Sequence, residues 1–113
     1  MNKRSVGSVT EERAMEYLTG LGYEPVQRNY RCRAGEIDLV ARDGEYLVFA
    51  EVKYRRTEEF GLPEEAVDAK KQMRIRRAAE WFLKEQRVPA DTPVRFDVVA
   101  MDSREIRLYK DAF

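Results

Sequence analysis

An α/β (α+β) fold, with a central mixed sheet flanked by helices in the order α-β-β-β-α-β-β, is what this 113-residue sequence predicts. Three observations carry that expectation. Two stretches repeat apolar residues at helical spacing: Ala14, Tyr17, Leu18 and Leu21, then Val67, Ile75, Ala78, Ala79, Phe82 and Leu83. Residues 35–53 read as two strands joined at Asp43-Gly44, because Asp-Gly between apolar runs is a strong hairpin signal. Helical and strand stretches also interleave, so the strands form a sheet on which the helices close.

Length sets the expectation of one domain over residues 1–113, large enough to bury a core without staples. The 43% hydrophobic and 37% charged composition is that of a soluble globular chain. No run of about 18 apolar residues exists to cross a membrane. Met1 to Gly7 lacks the apolar segment of a signal peptide, and Cys32 is the sole cysteine; together these point to a reducing cytoplasm. Histidine is absent. A metal site must then be built from carboxylates and carbonyls, which favours Mg2+ or Mn2+ over zinc. Lys and Arg total 21 against 21 Asp and Glu, which argues against a broadly basic nucleic-acid coat. The distribution is uneven: residues 35–62 carry four basic against seven acidic side chains, whereas 70–77 hold five basic and no acidic ones.

In chain order, Ser8 or Thr10 caps a first helix running to about Gly20, with Glu11, Glu12 and Glu16 early in it where the helix dipole favours acids. Gly20 and Gly22 stop it. A first strand spans Tyr23–Tyr30, near a sheet edge because Pro25 cannot donate to a ladder. Arg28, Arg31 and Arg33 gather at its end. The hairpin follows, and residues 55–62 form a polar loop. Pro63, with Glu64 and Glu65 behind it, opens a second helix that extends to about Gln86. Lys71 lies on that helix's apolar stripe, so it either snorkels past the core edge or faces something negative. Strands Val94–Met101 and Glu105–Tyr109 complete the chain around a turn at Asp102-Ser103.

The hairpin carries charges where buried strands want apolar residues. With Asp43-Gly44 at the tip, Arg42 opposes Glu45, Asp38 opposes Phe49 and Glu36 opposes Glu51. Alternation then gives Glu36, Asp38, Leu47, Phe49, Glu51 and Lys53 one face, with Asp38 and Glu51 diagonal neighbours at roughly 7 Å. Two carboxylates and an ammonium on one patch suit a metal-dependent phosphodiesterase. Cleaving an anionic phosphodiester needs a cation to hold the scissile oxygens and activate water. Asp38, Glu51 and the Val52 carbonyl are its candidate ligands. Lys53 is placed to orient the water or stabilise the developing phosphorane charge, Glu11 to complete the coordination, and Lys71 to reach a phosphate oxygen. The bare pattern is unspecific, since Asp68-Ala69-Lys70 repeats the acid-x-Lys triplet inside a helix, where its ends cannot share a face. A Glu–Lys pair on a solvated sheet face is the bland alternative.

At these residues the chain resembles the YraN family of small bacterial proteins, which are similar to archaeal Holliday-junction resolvases of the PD-(D/E)XK nuclease superfamily. The resemblance rests on Gly35-Glu36-Ile37-Asp38-Leu39-Val40 and on Val48-Phe49-Ala50-Glu51-Val52-Lys53 with Arg55. It extends to Gly7, Glu11, Ala14, Tyr17 and Leu18, to Gly22 and Arg28-Asn29, to Phe60-Gly61 and Pro63, to Lys71, Ile75 and Ala79, and to Arg95-Phe96-Asp97-Val98. Thr10 departs from it, standing where the family usually has glycine. The resemblance implies a restriction-endonuclease-like core with Asp38, Glu51 and Lys53 as the central site, Glu11 as an added acid, and a homodimer after the resolvases.

Two functions of different class follow. One is a Mg2+- or Mn2+-dependent endonuclease acting on DNA, including branched or structured DNA. The other is a non-catalytic nucleic-acid-binding or adaptor domain. Arg31, Arg33, Arg55, Lys71, Arg74 and Arg77 are the candidate nucleic-acid contacts, which predicts steep salt dependence. Asp97 reads as a structural ion-pair partner, Trp81 as surface helix packing, and Cys32 as an incidental small residue.

Overall fold

The computed structural model describes residues 3–54 and 67–113. Its elements are α1 (Lys3–Gly20), β1 (Glu24–Cys32), β2 (Gly35–Asp43), β3 (Tyr46–Tyr54), α2 (Ala69–Glu85), β4 (Val94–Met101) and β5 (Ile106–Tyr109), in the predicted order. The strands form one sheet ordered β1-β2-β3-β4-β5. Its neighbours pair antiparallel except β3 and β4, which run parallel. That parallel step is the one α2 bridges, because a hairpin cannot join parallel strands. Among the described residues no helix is long and apolar enough to cross a membrane.

Both faces of the sheet are covered. α2 lays Ile75, Ala78, Ala79 and Phe82 on one face, against Val40, Leu47, Phe49 and Val98. α1 lays Ala14, Met15 and Leu18 on the other, against Leu39, Ala41, Val48, Ala50 and Val99. This explains why Leu47-Val48-Phe49-Ala50 is an unbroken apolar run, since each alternate residue meets a different helix. Phe82 anchors the α2 side, meeting Tyr30 and Phe49 edge-on at 5.2 and 5.6 Å. β1 lies at the edge, as Pro25 requires, and its register shifts between Pro25 and Gln27.

Three boundaries differ from expectation. α1 starts at Lys3, so Ser8 and Thr10 lie inside it and Glu11 sits beyond the first turn. A single Gly7 costs a helix about 1 kcal/mol, too little to stop it. α2 starts after Asp68, whose Oδ1 accepts the backbone N–H of Lys71 at 2.8 Å. The Asp68-Ala69-Lys70 triplet is thus a helix cap. The loop over 55–62 and the helix start at Pro63 lie outside the described residues, as does Arg55.

The third difference is the hairpin register. Asp43 pairs with Tyr46 and Arg42 with Leu47, so Gly44 and Glu45 form the tip. Gly44 takes φ +60° and Glu45 stays out of the left-handed region. That is the type II′ pattern, which places glycine first. Asp43 remains in the strand because Arg95 and Lys110 hold its carboxylate at 2.8 and 3.5 Å. The register therefore moves by two residues, which preserves side-chain faces. The ladder runs from Asp43↔Tyr46 to Leu39↔Ala50. The ladder ends one step short of Asp38, whose side chain accepts the Val52 N–H instead.

Candidate functional site

Where the β2–β3 ladder ends, side chains take over from backbone. Asp38 Oδ2 accepts the N–H of Val52 at 2.8 Å. Its carboxyl group adjoins that of Glu51, whose side chain is only 5% exposed. Two carboxyl groups in contact cannot both stay charged without a proton or a cation between them. Burial first, and the Asp38 charge second, push the Glu51 pKa up to about 7. Burial likewise raises Asp38, against the lowering effect of the Val52 N–H.

The available counter-charge comes from α2. Lys71 Nζ lies 2.5 Å from Glu51 Oε1. Burial works against this ammonium, yet the hydrogen bond and the charge of Glu51 hold its pKa above the ordinary value.

A break in strand alternation brings α1 to the same spot. Arg28 pairs with Leu39 and Tyr30 with Ile37. Arg28 lies beside Glu12, Met15 and Thr19 of α1, whereas Tyr30 belongs to the α2-side core. Leu39 and Ile37 split in the same way. Residues two apart on a regular strand share a face; here they do not. Asn29, between Arg28 and Tyr30, has φ +53°, a conformation asparagine tolerates better than most residues. Asp38 thus sits at the point where the faces exchange, and it interacts with Lys71 from one helix and Glu11 from the other. The Asn29 side chain hydrogen-bonds Glu11, whose pKa is raised by burial and by Asp38. Glu11 Oε2 is buried with no hydrogen-bond partner. Asn29 was missed as a site residue; its one sequence signal was its place after Arg28 in the family resemblance.

The predicted basic residues divide. Arg31 forms an exposed pair with Glu36 at 3.4 Å, and Arg33 is exposed in the turn that follows β1. A methyl group at Gly35 would meet Arg74 Cβ at 3.6 Å, so this turn abuts α2. Two basic segments distant in sequence therefore adjoin, with Arg77 exposed one helical turn on. Lys71 belongs to the carboxylate site and Arg76 instead covers Phe96 at 4.9 Å.

A second charged cluster lies on the α1 side. Arg95 grips Asp97 with two bonds of 2.9 Å and reaches Tyr23 at 2.7 Å and Asp43 at 2.8 Å. The Tyr23 hydroxyl and the Asp111 N–H both donate to Asp97 at 3.0 Å. Asp97 is a structural partner, as its strand context suggested. Its ties to Tyr23 and Asp43 had no sequence signal. Trp81 is 43% exposed on α2, and Cys32 is half-buried.

The donors at the first cluster suit a hard divalent cation: oxygens from Asp38, Glu51 and Glu11, with one buried Glu11 oxygen unpartnered. The fit is to a carboxylate pair with Glu11 nearby. Among the described residues no three acidic, histidine or cysteine side chains surround one point.

Comparison with known proteins gives a consistent family. The profile described as Uncharacterised protein family UPF0102 matches residues 10–101. A UPF0102 protein of Lachnoclostridium phytofermentans is 54% identical over 113 residues, covering 100% of this chain and 96% of the relative. One from Caldicellulosiruptor saccharolyticus is 43% identical over 119 residues, covering 100% of both. One from Syntrophus aciditrophicus is 46% identical over 111 residues, covering 95% of this chain and 87% of the relative.

Proposed function

This chain belongs to the UPF0102 family, and from that premise we propose that it is a Mg2+- or Mn2+-dependent endonuclease that hydrolyses DNA. The observation that carries the proposal is the meeting of half-buried Asp38 with buried Glu51 at the end of a strand ladder. The arrangement is costly to stability, since burial and the Asp38 charge both raise the Glu51 pKa. Asp38 and Glu51, with the Val52 carbonyl, would hold the ion, with Glu11 nearby. When bound, the ion would neutralise the scissile phosphate and lower the pKa of a water. Lys53 orients that water or meets the charge that develops on phosphorus. The exposed Arg31, Arg33, Arg74 and Arg77 hold the flanking phosphates, with Arg55 as a further candidate. The resolvase likeness favours branched DNA as substrate and a homodimer as the working form.

The test is a panel of duplex, flap, single-stranded and four-way DNA incubated with Mn2+. The wild type is expected to cut at least one, and Asp38→Ala, Glu51→Ala and Lys53→Ala to cut none while keeping the fold and DNA binding. Absence of cutting across the panel by wild type would falsify the enzymatic reading. A second reading, a non-catalytic nucleic-acid-binding domain, draws on Lys71, which already neutralises Glu51 without any metal. It predicts DNA binding that weakens in Arg74→Glu and Arg77→Glu, with no cleavage in any metal.

A further inference from the structure

We propose that Lys71 is a built-in counter-cation, which competes with the divalent ion for Glu51 and is released toward substrate phosphates when that ion binds. This rests on the metal-dependent reading above. Three observations support it. Lys71 Nζ lies 2.5 Å from Glu51 Oε1, on the carboxyl group that must otherwise turn to the ion. The Glu51 side chain is 5% exposed and that of Lys71 41%, so the ammonium reaches inward from solvent and has an open way back.

The third observation is position. Lys71 is the third residue of α2, in the turn where the helix dipole disfavours a cation. The nearby Asp68 carboxylate is engaged by the backbone N–H of Lys71. The ammonium is therefore held there by the hairpin carboxyls, Asp38 as well as Glu51. A divalent ion added to the same space meets the like charge of Lys71. Lys71, which reaches in from solvent, is the one to leave. Arg74 lies three residues on and is solvent-exposed, so a released Lys71 joins the basic ridge.

Mn2+ binding to the full chain without nucleic acid tests this, by isothermal titration and by the EPR signal of free Mn2+. If the Lys71-held form is about nine-tenths populated, K71M and K71Q bind Mn2+ about tenfold more tightly than wild type. K71R, which keeps the ion pair, stays near wild type. K70M removes the same charge from a neighbouring exposed position and also stays near wild type. Wild type binding Mn2+ with K71M and K71Q no tighter overturns the competition and leaves the metal reading standing. K70M tightening as much as K71M reduces the effect to net charge and overturns it as well. No Mn2+ binding by wild type or K71M removes both proposals. With Ca2+ present, DNA affinity falls in K71M relative to wild type; an unchanged affinity overturns the release step.

Discussion

The two charged clusters use the same residue types to opposite ends. Around Asp97 every charge is answered: Arg95 binds it twice, Tyr23 and a backbone N–H fill its remaining acceptor sites, and Asp43 and Lys110 extend the network. The hydrogen bond from Arg95 holds Asp43 below the ordinary carboxylate range. Around Glu51 the reverse holds. Burial and Asp38 raise its pKa, Asp38 and Glu11 are raised as well, and a buried Glu11 oxygen has no partner. Complete pairing marks a structural clasp, because removing any member leaves a buried charge exposed to low dielectric. Around Glu51 the Lys71 ion pair leaves the buried Glu11 oxygen unanswered, and the pKa values of the acids stay raised.

The largest effect that can break this contrast is on the clasp. Asp97→Ala leaves Arg95 with Asp43 and Tyr23 alone and is expected to destabilise the fold by about 3 kcal/mol in urea titration. A loss below about 1 kcal/mol would show the network to be ornamental. Opposite in sign and smaller is Asp38→Asn. Its amide oxygen still accepts the Val52 N–H while the like charge disappears. Metal-free stability should hold or rise by up to about 1 kcal/mol, and Mn2+ binding should vanish. Clear destabilisation by Asp38→Asn would erase the distinction between the clusters.

The smallest effect is in the pH profile. Glu51 titrates near 7 when folded against an ordinary 4.5, so the folded state holds its proton more tightly. That contribution is fully present below the ordinary value and is lost as pH rises through about 7. Asp43 is depressed from 3.8, so its contribution is present above the ordinary value and lost as pH falls through the lowered one. Unfolding midpoints of metal-free protein should thus decline on both sides. Glu51→Gln should flatten the neutral limb alone, and Asp43→Asn the acid limb alone. One variant flattening both limbs would mean that the clusters titrate as one.

Much of the fold was legible because its signals are local. Ile75, Ala78, Ala79 and Phe82 repeat at helical spacing and are buried; the apolar run of β3 is buried on both faces. Other residues were misjudged for equally physical reasons. Leu21 fits the α1 stripe yet is 53% exposed, since the chain turns away at Gly22, whose φ is +100°. Met15, off that stripe, is 8% exposed.

By itself the sequence determined the order of elements, the apolar stripes and which residue types occupy the end of the hairpin. Those follow from periodicities of two and 3.6 and from charges placed among apolar neighbours. The tertiary structure decided the register, because Arg95 and Lys110 reach Asp43 from β4 and the chain end and push the turn onto Gly44-Glu45. It also decided that Lys71 meets Glu51, and that Asn29 exchanges the strand faces so that Asp38 interacts with groups on both helices. These contacts join residues far apart in the chain. No local pattern encodes their distance; the packing of α1 and α2 on one sheet does.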